Sequence, residues 1–399
     1  MADLASVLRN VRVLDLSTLL PGPFCTMLLA DFGADVIKVE KPDGGDPLRE
    51  AFLGEGRTDP AFLALNRGKR SVALNLRHPQ GREAFLRLVQ SADVLLEQFR
   101  PGVMARLGLD YETLRAVNPR LVYCSLSGYG QTGPYFRLPG HDLNFIALAG
   151  VLGLMGTPVP PGTQIADITG GLMACVGILL ALLERQQSGQ GQWVDVSLLD
   201  SALSTLALPL ARHLGLGRAA VPGGEQLTGG SPCYDVYVTA DGRHITLGAL
   251  EEKFWAAFCR AVGREDWIPL HSATGPERER LRAELRDLFR TRTLDQWLAD
   301  MQGVDTCLMP VLHLEEVASD PQVAHREMVV EGPSPDGGTS PMTGIPIKLS
   351  RTPGRIDRPA PLLGEHTLEV LREVGYTEDE VLALRESGAV AWANTGPAQ

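Results

Sequence analysis

The chain predicts an α/β protein, a doubly wound parallel sheet covered by helices on both faces, with a smaller α+β domain behind it. Three observations lead there. Short β-rich runs alternate with helical stretches over the first 215 residues, the pattern of parallel strands joined by crossover helices. The first of these repeats is a compact strand–helix–strand unit. Beyond a glycine-rich stretch the pattern changes to a hairpin signal and a group of helices.

In order, Val11–Leu16 reads as a strand, and Pro21-Gly22-Pro23 leads into a helix from Phe24 to Asp31, closed by Gly33. Asp35–Glu40 is the second strand. No G-x-G-x-x-G lies between them, so a dinucleotide pyrophosphate site is not supported. There follow a strand at Ser71–Leu76, a helix at Gln80–Ser91, a strand at Val94–Gln98, a helix at Tyr111–Val117 and a strand at Leu121–Ser127. An apolar run from Gly170 to Leu183 reads as a helix buried on all sides. It falls short of the roughly 18 apolar residues that cross a bilayer. Gln192–Ser197 is a further strand and Leu198–His213 a helix. Gly215–Gly230 reads as a linker. Tyr234–Ala240 and Arg243–Ala249 form a hairpin about Asp241-Gly242, where Asp-Gly supplies the positive φ of a tight turn. Helices at Glu251–Val262, Glu277–Phe289 and Leu294–Met301 and a strand at Cys307–Leu312 complete the second domain. Glu331–Gly344 and Thr352–Gly364 read as extended connections, before two amphipathic helices near His366–Val374 and Thr377–Ser387. The expected division is 1–215 for the large domain, 225–325 for the small one, and 326–399 for a linker and helices returning to the large domain.

Composition bounds the function. Acidic residues exceed basic ones, 48 to 37, giving a formal charge of −11 over 399 residues, which argues against nucleic acid as the main partner. The six cysteines have no C-x-x-C spacing, and most lie in apolar surroundings. Buried free thiols in a reducing compartment fit that better than disulfides or a metal site. Met1-Ala2-Asp3-Leu4 lacks a charged n-region and an apolar h-region, so the expectation is a soluble, cytoplasmic protein without a membrane partner.

The stretch from Ser127 to Gly171 carries the candidate chemistry. Asp167 falls at or just before a helix start, where it reads as an N-cap followed by small residues, Gly170 and Gly171, that open space around it. Unpaired N–H groups and partial positive charge there suit a developing anion. His141 is followed by Asp142, a carboxylate able to orient an imidazole and raise its basicity. Taken singly, His141 reads more readily as a local cap and Asp167 as a plain N-cap, and Glu251 is also a dipole-favoured residue heading its helix. A basic group, Arg67, Lys69, Arg70, Arg77, Arg100 and Arg106, flanks two strands. It suits a phosphorylated ligand at strand carboxyl ends, or else forms a solvated basic surface.

Several motifs resemble class III coenzyme A transferases and the related α-methylacyl-CoA racemases. They are Leu20-Pro21-Gly22-Pro23-Phe24-Cys25, Leu29-Ala30-Asp31-Phe32-Gly33-Ala34, Asn66-Arg67-Gly68-Lys69-Arg70-Ser71 and Phe99-Arg100-Pro101-Gly102-Val103. Gly128-Tyr129-Gly130-Gln131-Thr132-Gly133-Pro134, Gly140-His141-Asp142, Ala166-Asp167 with Gly170-Gly171, and Gly364-Glu365-His366-Thr367 join them, in order along almost the whole chain. The resemblance implies an interlocked homodimer of a large Rossmann-like α/β domain and a small domain, with the active site between subunits. It implies an acyl-CoA thioester as substrate and no separate cofactor, coenzyme A arriving as part of the substrate. By it, CoA is held by Lys41, Leu74, Asn75, Arg77, Gln98, Phe99, Arg100 and Arg106.

In the family's transferases the motif aspartate attacks the acyl-CoA and carries the acyl group as an anhydride. In its racemases it works with a histidine and a glutamate as an acid/base set. Asp167, His141 and Glu251 match those three. Leu20 stands where many transferases carry glutamine, and Gly248–Glu251 where they carry a glycine-rich loop; Glu252-Lys253 departs from the racemase Pro-Gln. The preferred expectation is racemisation of a 2-methylacyl-CoA, with His141 on one face of the α-carbon, held by Glu251 or Asp142, and Asp167 on the other. N–H groups near Ile168–Gly170 would hold the enolate oxygen. CoA transfer through Asp167 is the alternative, and a non-catalytic CoA-ester binder the third.

Overall fold

The computed structural model describes residues 6–50 and 58–392; the Met1–Leu4 start lies outside them. The strands and helices in order are β1 (Arg12–Leu16), α1 (Pro21–Asp31), β2 (Asp35–Glu40), α2 (Pro60–Asn66), β3 (Arg70–Leu74), α3 (Pro79–Gln90) and β4 (Val94–Glu97). Then come α4 (Val103–Leu107), α5 (Tyr111–Val117), β5 (Val122–Ser127), α6 (Asp142–Ala149), α7 (Val151–Leu154), α8 (Ile165–Ser188), β6 (Trp193–Ser197), α9 (Leu198–Ser204) and α10 (Ala207–Leu216). β7 (Tyr234–Val238), β8 (His244–Gly248), α11 (Glu252–Ala261), α12 (Gly275–Phe289), α13 (Leu294–Asp300), β9 (Leu308–Pro310), α14 (Leu314–Val317), α15 (Pro321–His325), β10 (Val329–Pro333), β11 (Thr339–Thr343), α16 (Thr367–Glu373), α17 (Glu378–Glu386) and β12 (Val390–Ala391) complete the chain.

The chain divides into two compact units. The first, residues 6–149, 161–205 and 321–392 of the described chain, holds a sheet in the order β12-β3-β2-β1-β4-β5-β6. Every pairing is parallel except β12 against β3. The predicted doubly wound α/β sheet is therefore present. Its central strands are buried along almost their whole length, as a parallel sheet with both faces covered requires. On one face Leu14, Ile37, Val72 and Leu95 pack with Phe85 and Leu88 of α3, Leu114 of α5, and Val370 and Leu384 of α16 and α17. On the other, α1 and α8 pack together, α1 over β1 and β2 and α8 over β5 and β6. The strand order reverses between β1 and β4, so the loops at their carboxyl ends diverge and leave a crevice.

The second unit, Gly150–Pro160 with Leu206–Asp320, has an antiparallel β7-β8-β9 sheet. Its core is aromatic, with Tyr237, Trp255, Phe258, Trp267, Phe289 and Trp297 buried together.

Four expectations are corrected here. The Gly170–Leu183 run is part of the longer α8, and it is two-faced rather than buried all round. Small residues (Gly170, Gly171, Ala174, Ala181) face inward with Ile178, while Leu172, Met173, Val176, Leu179, Leu180 and Leu183 are exposed. Close approach to the sheet selects small side chains inward and leaves the large ones outside. By length and composition alone α8 could cross a membrane. The Leu198–His213 helix is broken into α9 and α10, with the unit boundary at Thr205/Leu206 and not in the glycine-rich stretch. Gly215–Gly230 contains the end of α10 and a kinked turn over Gln226–Gly230, with Gly229 at φ 93°, whose Gly230 carbonyl accepts from Arg282 at 3.1 Å. Glu331–Gly344 is a hairpin of β10 and β11, closed by the Ser334 N–H donating to the Gly338 carbonyl at 3.0 Å.

Candidate active site

The crevice at the β1/β4 reversal opens into a cleft lined by His141 and Asp167 together with Leu19, Gln98, Phe99, Arg100, Ser127 and Phe145. The loop after β1 is anchored from below by buried charge. Asp15, at the middle of the sheet, pairs with Lys69 at 3.1 Å and accepts from Ser17 and Thr26. Burial would raise its carboxyl, yet the Lys69 and Lys38 ammoniums and the two hydroxyls hold it well below the usual carboxylate range. Lys38 pairs with Asp46 at 2.8 Å and donates to the Ser17 carbonyl at 2.9 Å. Leu19, at φ 63°, holds a left-handed conformation unfavourable for its side chain, with its N–H donating to Asp46 at 3.1 Å. Gln98 bridges the divergence: its Oε1 accepts the Gly22 N–H at 3.1 Å, tying the end of β4 to the start of α1.

Asp167 lies in the first turn of α8, three residues past the N-cap Gln164, so it is not the cap the sequence suggests. The capping carboxylate comes from another helix. Oδ1 of Asp142, the first residue of α6, accepts the N–H of Ala166 at 2.6 Å and of Asp167 at 3.1 Å. Asp142 is thereby committed to α8 and does not hold the His141 imidazole. The His141 ring makes no hydrogen bond among the described residues. Its backbone is fixed instead, the N–H donating to Asn144 Oδ1 at 3.0 Å. The Asp167 carboxyl is pushed up to about 6, first by burial and then by the Asp142 carboxylate, while His141 pulls it down. His141 and Asp167 line the same cleft.

Gly170 and Gly171 open no space around Asp167. A Cβ on Gly171 would stand 2.5 Å from the Pro21 carbonyl oxygen, and one on Gly170 would meet Leu198, so both serve close packing of α8. The enolate donors expected near Ile168–Gly170 are likewise taken, since the Ile168 N–H donates to the Gln164 carbonyl at 3.1 Å and the next two lie inside the helix.

The basic group divides. Arg67 and Lys69 precede β3 and Arg70 opens it; all three are buried in ion pairs, Arg67 with Asp31 at 2.7 Å, Lys69 with Asp15 at 3.1 Å, and Arg70 with Asp35 at 2.7 Å and Glu373 at 2.6 Å, so they are not ligand-facing. Arg77, Arg100 and Arg106 are exposed beyond β3 and β4, as Lys41 is beyond β2. Gln98, Phe99 and Arg100 line the cleft itself. Asn75 is half-buried, its Oδ1 accepting the Arg77 N–H at 3.1 Å. Leu74 has its side chain in the core beneath β12 and offers a ligand only backbone. Glu251 belongs to the second unit, where it is the N-cap residue of α11, exposed and without a side-chain cap bond.

Two residues of the cleft escaped the sequence reading. The Phe145 ring lies against Gly128 and Gly140, 2.7 Å from where either Cβ would stand, which seats the His141 loop. Ser127 closes β5 with a buried hydroxyl that has no hydrogen-bond partner among the described residues. The two glycines were the available signal for the first; nothing in the sequence marked the second.

The chain is similar to known proteins along almost its whole length. The chain is 40% identical to the alpha-methylacyl-CoA racemase of Mus musculus, over 96% of this chain and 97% of that one. It is 37% identical to a succinate–glutarate CoA-transferase of Agrobacterium fabrum, over 93% and 96%. The crystal structure of a CAIB/BAIF family protein from Brucella suis matches with a TM-score of 0.80 at 32% identity, covering 93% of this chain and all of the other. The family model described as CoA-transferase family III matches residues 8–367, and with relatives alike from end to end, this chain is an enzyme of CoA-transferase family III.

Proposed function

We propose that this enzyme interconverts (R)- and (S)-2-methylacyl-CoA thioesters by removing and returning the α-proton. The observation that carries the reading is the presence of His141 and Asp167 in one cleft, with the Asp167 carboxyl pushed up to about 6. A carboxyl poised there exchanges a proton readily in both directions near neutral pH, as racemisation demands, and an imidazole is a natural partner for it. One group takes the α-proton, the C–H electron pair becomes the α-carbon–C1 double bond, and the carbonyl pair moves onto oxygen. The other group then delivers a proton to the opposite face. The racemase relative from mouse accords with this reading, and transferase relatives at similar identity accord equally with the family's other chemistry.

Our proposal assigns CoA binding to Lys41, Asn75, Arg77, Gln98, Phe99, Arg100 and Arg106, with the Leu74 backbone, and a share in the proton chemistry to Glu251. It includes an interlocked homodimer in the cytoplasm, acting on acyl-CoA with no separate cofactor. The second reading, CoA transfer with Asp167 as nucleophile, draws on the transferase relative at 37% identity. One experiment separates them. A chiral 2-methylacyl-CoA incubated with the enzyme in deuterium oxide should lose optical purity and gain deuterium at C2. Trapping of an Asp167 hydroxamate by hydroxylamine, with CoA passing to a free acid, would replace the first reading by the second.

A further inference from the structure

Behind the cleft, α1 and α8 pack at a point where only glycine fits. A Cβ on Gly171 of α8 would stand 2.5 Å from the backbone oxygen of Pro21, the first residue of α1. One turn further along each helix come Cys25 and Cys175, and there the Cys25 S–H donates to the Cys175 sulfur. The pair joins the two helices that flank the cleft, since Pro21 and Asp167 both line it. Cys25 is fully buried and Cys175 half-buried, so only the second meets solvent. The donated hydrogen bond favours the Cys175 thiolate and outweighs burial, holding that thiol below its ordinary value. The same bond, and then burial, push Cys25 up. The other four cysteines are pushed up too, with lost solvation the leading cause. Cys175 is therefore the thiol of this chain best placed to react as thiolate, and a second thiol already touches it. That is how a reactive and a resolving cysteine are arranged.

We propose that Cys25 and Cys175 close to a reversible disulfide when hydrogen peroxide reaches Cys175, locking α1 to α8 and slowing turnover. The Cys175 thiolate attacks one peroxide oxygen, the O–O bond breaks, and hydroxide leaves to take up a proton as water. The resulting sulfenic acid is attacked by the Cys25 sulfur; the S–O bond breaks, and the hydroxyl departs as water with the Cys25 proton. Two thiols are oxidised and one peroxide is reduced to two waters. Bonding draws the sulfurs together, and the Pro21–Gly171 contact one turn away has no slack to absorb the movement. The displacement passes to Pro21 and to the helix bearing Asp167.

The test treats the full-length enzyme, Cys25→Ala and Cys175→Ala with hydrogen peroxide. Wild type should become lighter by two hydrogens, with a Cys25–Cys175 linked peptide in its digest. Its kcat should fall roughly tenfold or more and return with dithiothreitol. Activity is read as α-proton exchange on a chiral 2-methylacyl-CoA, or as CoA transfer to a free acid if that proves to be the reaction. The racemase reading can therefore fail without touching this inference, because the linked peptide is scored whatever the chemistry. Cys175→Ala should keep its activity through the treatment. Cys25→Ala, lacking the resolving thiol, should stop at a Cys175 sulfenic acid that dimedone captures. Absence of the linked peptide from treated wild type overturns the inference. So does a linked enzyme whose kcat stays within about twofold of the reduced form, or an equal loss of activity in Cys175→Ala.

Discussion

Asp142 Oδ1 accepts the backbone N–H of Asp167 at 3.1 Å, so one carboxylate caps the helix that carries the other. The same contact fixes Asp167 in place and raises its carboxyl by like charge. The two effects can be separated. Asp142→Asn keeps an acceptor oxygen but loses the charge; Asp142→Ala loses both. The Ala variant should be less stable by about 1 kcal/mol, the usual worth of a cap, and the Asn variant nearly as stable as wild type. For reaction through ionised Asp167, wild-type kcat/KM should fall as pH drops through about 6. In Asp142→Asn that limb should move to lower pH, as read from the pH–rate profile.

Burial pushes the Glu97 carboxyl up to about 7, although the Phe99 N–H at 2.9 Å and the Ser125 hydroxyl pull it down. The sign follows directly. Between the ordinary value of 4.5 and about 7 the folded protein holds a proton that the unfolded chain has released, so stability falls as pH rises through that window. Above it the full penalty applies, on the order of 3 kcal/mol. Glu97→Gln should therefore melt higher than wild type at pH 8, with the difference gone near pH 4. Thermal melts at both pH values check this.

Gly171→Ala sets a Cβ 2.5 Å from a backbone oxygen, that of Pro21, whereas Gly170→Ala meets the movable end of Leu198. Overpacking against fixed backbone costs about 1–3 kcal/mol. Gly171→Ala should lose that much by chemical denaturation, more than Gly170→Ala. It should also raise KM, since Pro21 lines the cleft.

Leu180 is 61% exposed on the outer flank of α8. In an isolated chain Leu180→Glu would change stability by no more than about 0.5 kcal/mol. If a second copy in the proposed homodimer covers that flank, the variant should assemble poorly while wild type sediments as a dimer even at nanomolar concentration. An active wild-type monomer at that dilution would remove the dimer proposal.

Much of this was legible because it is local. The strands from Val11–Leu16 to Leu121–Ser127 announce themselves as short apolar runs between helices, and Asp241-Gly242 marks its turn by the positive φ that Gly242 adopts. What failed involved partners far apart in sequence. The apolarity of α8 could be read, but not its full length, and which of its faces is covered depends on α1, β5 and β6. Arg67, Lys69 and Arg70 look like an anion site until Asp31, Asp15 and Asp35 arrive from other elements to neutralise them.

The sequence by itself determined the doubly wound α/β sheet, the presence of His141 and Asp167, and the motifs that tie the chain to its family. Periodicity and residue type are properties of a segment, and they survive without knowledge of the rest. Only the tertiary structure decided that Asp142 caps α8 rather than steering the imidazole, and that Arg67 and Arg70 are spent on buried ion pairs. Hydrogen bonding and desolvation depend on what else is near, and folding is what sets the neighbours.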